Sequence, residues 1–158
     1  MGVSADVLIR EVIRPTLKYL DVCSSSAEAL LLGSAACQSQ LGEHPGLFQH
    51  FGLWQLSSEQ HRALWDGFLA HDPDLASRIR GLASQHAFLE NPDLELCVNL
   101  RYACAIAWMQ VVRAARVPAL NADLPSLAHT WCKVFAPAAE PRQFMRVMAG
   151  LPMTNLAA

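Results

Sequence analysis

Apolar residues recur at helical spacing along nearly the whole of this chain, and the pattern breaks once, over residues 41–56. Before the break, Val7, Leu8, Val12, Ile13, Leu17 and Leu20 form a stripe behind the cap residue Ser4, and Pro15 is expected to kink or divide that helix. Ser25-Ser26-Ala27-Glu28 reads as a capping box opening a second helix, through Leu30, Leu31, Ala35 and Ala36 to about Gln40. Its small residues Gly33, Ser34, Ala35 and Ala36 let another backbone approach closely, which predicts a central helix. The interruption holds Gly42, Pro45, Gly46 and Gly52 among the aromatics Phe48, Phe51 and Trp54, so it reads as a loop with at most a short β-hairpin between about residues 46 and 56.

Helix resumes at the capping box Ser57-Ser58-Glu59-Gln60, followed by Leu64, Trp65, Phe68 and Leu69. Asp72-Pro73-Asp74 predicts a short helix to about Leu82, and Asn91-Pro92-Asp93 the longest one, to about Val117. Asp123-Leu124-Pro125 opens another, and the last runs from about Pro141 to Ala149 and stops at Gly150. With no internal repeat and no low-complexity linker, residues 1–158 read as a single, mainly α domain.

Composition narrows the function classes. The chain is 53% hydrophobic and 16% charged, which excludes disorder. A net charge of -2 offers no basic excess for phosphates, so nucleic acid is not an expected partner. The longest apolar run, Ala27 to Ala36, is interrupted by Glu28, Gly33 and Ser34, so no membrane span is expected. Met1 to Asp6 has no basic segment followed by an apolar one, so the expectation is a protein that stays in the cytoplasm as synthesised. Cysteines 23, 37, 97, 104 and 132 are odd in number and form no C-x-x-C pair, which suits packing rather than disulfides. Histidines 44, 50, 61, 71, 86 and 129 show no zinc spacing, and no phosphate loop or dinucleotide fingerprint exists, so no metal or cofactor is expected. Cys23 or Cys37 with a loop histidine is the one thiol-nucleophile arrangement left open.

Three segments carry a resemblance. Leu31-Leu32-Gly33-Ser34-Ala35-Ala36-Cys37-Gln38-Ser39-Gln40-Leu41-Gly42 is similar to the helix end of phage-encoded lysozyme-like proteins, in the goose-type lysozyme and soluble lytic transglycosylase superfamily. Phe51-Gly52-Leu53-Trp54-Gln55-Leu56 resembles the Gly-Leu-Met-Gln type turn of that superfamily, and Asn99 to Ala105 resembles the helix that backs its site. Leu64 to Leu69 and Leu127 to Lys133 also resemble the phage branch, so the likeness extends from about residue 17 to 148. It implies a lysozyme-like helical domain acting on the β-1,4 glycan of peptidoglycan, and association with a virion.

The chemistry needs a carboxylic acid, kept protonated in a partly apolar pocket, to hand a proton to the leaving oxygen. The resemblance puts that acid immediately before the Ser of the first segment, and here the position is Gln38. An amide has no acidic proton to give. Three explanations stand: a pseudoenzyme that keeps its groove, a deliberate Glu-to-Gln exchange that traps a complex, or a substitute acid. Glu43 is the foremost substitute and Glu59 the other, although Glu59 is also explained by a helix start. Phe51, Trp54 and Tyr102 are expected to supply apolar faces to the sugar, with Gln38 and Gln55 bonding its acetamido groups. Each has a plainer reading: Gln38 as an exposed helix-end residue, Trp54 and Gln55 as a loop plug, Tyr102 as core. The rival to an enzyme or glycan binder is a non-enzymatic interaction module on the same scaffold, with a protein partner.

Overall fold

Ser24 caps the helix around which the molecule is built, its hydroxyl accepting from the Ala27 amide at 3.1 Å. That is one residue earlier than the sequence pattern places the cap, because Glu28 is committed elsewhere: it forms a two-pronged ion pair with Arg14, at 2.8 and 3.0 Å. The computed structural model describes residues 2–44 and 48–152, and it is mainly α with one two-stranded antiparallel hairpin. The central helix, α3 (Ser25–Ser39), is buried all round from Leu30 to Ala36. A helix apolar on every side belongs inside a core.

The chain enters through α1 (Ala5–Val7), a π-helical segment (Leu8–Ile13) and α2 (Arg14–Tyr19), which together make one helical arm. Pro15 does not divide this arm. It lacks an N–H, so it leaves the carbonyl of Glu11 without its ordinary i+4 donor. The widened turn accommodates the ring, and the Arg101 guanidinium donates to that carbonyl at 3.2 and 3.1 Å. The hairpin pairs β1 (His50–Phe51) with β2 (Leu56–Ser57), in register His50 opposite Ser57 and Phe51 opposite Leu56. The expected loop thus carries the expected short hairpin, though Pro45 and Gly46 lie outside the described residues.

Next come α4 (Ser58–Gly67), a 3-10 turn (Leu69–His71), α5 (Pro73–Arg80) and α6 (Gln85–Glu90). The α4 capping box forms as read: Ser57 and Gln60 exchange side-chain-to-backbone bonds of 3.0 and 2.9 Å. The long helix expected from Asn91 to about Val117 is two, α7 (Pro92–Val98) and α8 (Leu100–Arg113). Asn99 interrupts it by leaving helical geometry and capping α8, accepting from the Tyr102 amide at 3.1 Å. A short amide side chain competes for backbone donors in this way. The bundle closes with α9 (Leu124–Val134) and α10 (Pro141–Gly150), which pack on each other and on α3. One apolar core runs from Ala5 to Phe144 and contains most of α3 and α8.

Candidate functional site

Two polar clusters stand out, and the first joins two of the three segments that carried the resemblance. Ser39, the last residue of α3, donates its hydroxyl to Leu53 O at 2.7 Å and accepts from Gly42 N at 3.1 Å. The turn Gly52-Leu53-Trp54-Gln55 is thereby fastened to the helix end. Trp54 anchors it further, donating its indole N–H to Leu31 O at 2.9 Å inside the core. Gln40, Leu41 and Gly42 all take positive φ, at 49°, 56° and 93°, which folds the chain back sharply after the helix.

The predicted residues do not converge. Trp54 is 1% exposed and Tyr102 0%, so neither presents a face to a sugar; Trp54 plugs its loop into the core and Tyr102 is part of the core, as their plainer readings had it. Gln38 is half-buried, neither in the core nor fully exposed. Gln55 is buried, with its amide N–H on Gly52 O at 2.7 Å and its amide oxygen without a partner among the described residues. It lines a cavity of about 370 Å³ with Ser39, Leu53, Cys97 and Leu100. Glu43 is exposed at the rim of a different cavity, of about 640 Å³, between the N-terminal residues, Cys37 and α10. Gln38 lines neither. Phe51 is half-buried on a third face, beside α4, with the exposed Glu59. The thiol readings gain nothing: burial pushes Cys37 up to about 12, so little thiolate exists at neutral pH.

The second cluster went unread in the sequence. Asp93, at the start of α7, accepts from Ser58 Oγ at 2.6 Å and from His61 Nδ1 at 2.9 Å. On its other side His61 Nε2 accepts from the Tyr102 hydroxyl at 2.6 Å, and that oxygen accepts the Trp65 indole N–H at 2.9 Å. Burial holds His61 below the ordinary imidazole value, against the opposing hydrogen bond and charge of Asp93. The ring is therefore neutral, with its proton on Nδ1 facing the carboxylate. Burial also drives the Tyr102 phenol well above its usual range. A phenol so hard to ionise is no nucleophile, and His61 has no free nitrogen with which to activate Ser58. The members of a catalytic triad are present in the wrong order of connection.

What the chain of bonds does is fix α4, α7 and α8 together and orient Asp93, whose side chain is 19% exposed, toward a cavity of about 190 Å³. Glu95, by contrast, is a fully buried carboxylate with a structural role. Glu95 accepts from Ser84 N at 3.2 Å, from the Ser84 hydroxyl, and from Asn99 Nδ2 at 2.9 Å. No group of three or more His, Cys, Asp or Glu side chains able to hold a metal ion exists among the described residues. No helix among them is long and apolar enough to cross a membrane. No family model, curated protein or solved structure matches the chain.

Proposed function

We propose that this protein is a lysozyme-like glycan binder that holds a β-1,4-linked amino-sugar strand, such as that of peptidoglycan, and cleaves it slowly or not at all. The observation that carries the reading is the bond from Ser39 Oγ to Leu53 O. It sets the helix end bearing Gln38 against the Gly-Leu-Trp-Gln turn, so that two of the segments carrying the resemblance meet. The missing step follows from the amide at position 38. Neither proposed substitute is held in an apolar pocket: Glu43 and Glu59 are both exposed. General acid catalysis contributes about 10²–10⁴-fold, and an enzyme without it is poor. A phage or prophage product made in the host cytoplasm and carried in the virion is the setting this reading fits.

The test is a pair of measurements. The wild-type chain is expected to be retained on insoluble murein above a neutral control protein. Gln38→Glu is expected to clear a murein suspension faster than wild type, with an acid-side optimum, since a half-buried carboxyl titrates high. Retention without any gain would leave binding and remove the lost-acid argument. Failure of retention would favour the second reading, a non-enzymatic module that docks on a protein. That reading has its own support in Leu89, Leu94 and Val98 of α6 and α7, which are 77%, 45% and 66% exposed.

A further inference from the structure

The cavity beneath Asp93 continues into a more open one along α4, of about 790 Å³, and Ser58, Arg62, Asp66 and Asp93 line both. We infer that this α4 groove, apart from the surface around Gln38, is a further saccharide site, taking a neutral, hydroxyl-rich ligand with one ring in the deep part beside Trp65 and Phe88. Two features select that chemistry. Asp93 is held by two donors, Ser58 Oγ and His61 Nδ1. An ionised carboxylate has about four lone-pair sites, so acceptor capacity remains for a ligand's hydroxyls. Arg62, on the same groove, supplies donors, and it forms no ion pair among the described residues.

Charge excludes an anion. Asp66, Asp93 and Glu59 outnumber Arg62 and repel an anion. The Arg80 guanidinium already covers one face of the Phe88 ring, 4.2 Å from its centroid, so the half-buried Trp65 is the aromatic surface left to a ligand. A sugar fits these demands: it donates to the carboxylates, accepts from the guanidinium and lays an apolar face on Trp65. The deep part, at about 190 Å³, is smaller than a pocket for a drug-sized molecule, commonly about 300–1,000 Å³, and suits a single ring. The open part, with Phe51 at its edge, takes the continuation of the strand.

Only the choice of an amino-sugar probe rests on the glycan reading above; the groove's own chemistry asks for hydroxyls. The experiment titrates the isotope-labelled full chain with the β-1,4 tetramer of N-acetylglucosamine and, separately, the β-1,4 tetramer of glucose. The expected result is amide shifts at Ser58–Asp66, Phe88 and Asp93. Arg62→Ala and Asp66→Asn, both at exposed positions, are each expected to weaken binding about tenfold or more, with an unchanged spectrum of the free protein. Arg146→Ala on α10 serves as a remote control. Shifts clustered instead around Gln38 and Gln55 would overturn the inference and leave the glycan reading standing. Groove shifts with the glucose tetramer, in a protein that murein does not retain, would uphold the inference and remove the amino-sugar reading. No shift with either tetramer would overturn the inference, whatever the murein assay shows.

Discussion

Gly52 has φ of +75°, and a Cβ built there would overlap the Leu96 carbonyl oxygen. Gly52→Ala therefore adds both left-handed strain and a backbone clash, together about 2–5 kcal/mol. A urea midpoint lowered with little change in slope is the expected result, and an unchanged midpoint would show that hairpin and α7 are not in contact. His61 gives a pH signature. Its folded value lies below the ordinary 6.5, because burial disfavours the imidazolium. The unfolded chain takes up a proton that the folded chain refuses, so this contribution is complete above about pH 6.5 and stability falls as pH drops through the interval below it. The melting temperature of wild type is expected to fall more between about pH 7.5 and about pH 5.5 than that of His61→Gln. Parallel falls would mean that the ring is not held neutral.

Gly33 decides how closely α3 and α10 approach, since its Cβ would overlap the Phe144 ring and lie 2.9 Å from Met148 Sδ. Gly33→Ala gains about 0.5–1 kcal/mol of helix preference. It loses about 1–3 kcal/mol to overpacking. The ring is fully buried and has nowhere to retreat, so a net loss of about 1–2 kcal/mol is expected from chemical denaturation. Adding Phe144→Leu should recover part of it, and a strictly additive double variant would contradict the contact. The central helix was legible because a capping signal and a run of small residues follow one another on a single uninterrupted segment. Less legible was α6, which buries no side chain and so prints no apolar stripe. The break at Asn99 was hidden for the opposite reason: Leu94, Cys97, Val98 and Tyr102 keep helical spacing straight across it. The cap that Asn99 makes on the Tyr102 amide and its bond to Glu95 are local, but the bond to Leu82 O that holds the side chain there depends on tertiary contact.

Across the whole molecule, all five cysteines are free thiols at graded depths: Cys23 and Cys97 exposed, Cys37 intermediate, Cys104 and Cys132 buried. A thiol reagent is expected to modify two groups quickly in the native protein, and all five only after denaturation. Melting should be indifferent to reductant; a reductant-dependent shift would reveal a disulfide. The candidate site was legible in parts but not as a place. Phe51 does border the groove, whereas Trp54 and Tyr102 were drawn inward by indole and phenol groups that found partners there. His61 and Tyr102 stand 41 residues apart, and no local pattern links them to Asp93. The π-helical turn before Pro15 has a consequence for how this chain tolerates changes of length. Such a turn holds one residue more than an α-helical one, so a single deletion within Leu8–Ile13 returns an ordinary helix with the residues before it at nearly their former azimuth, whereas one added residue turns them by about 100°. The backbone bond from Val3 N to Leu41 O, 2.8 Å long, lies on the part that an insertion would turn. Between Ser4 and Pro15 the chain is therefore built to lose a residue more easily than to gain one.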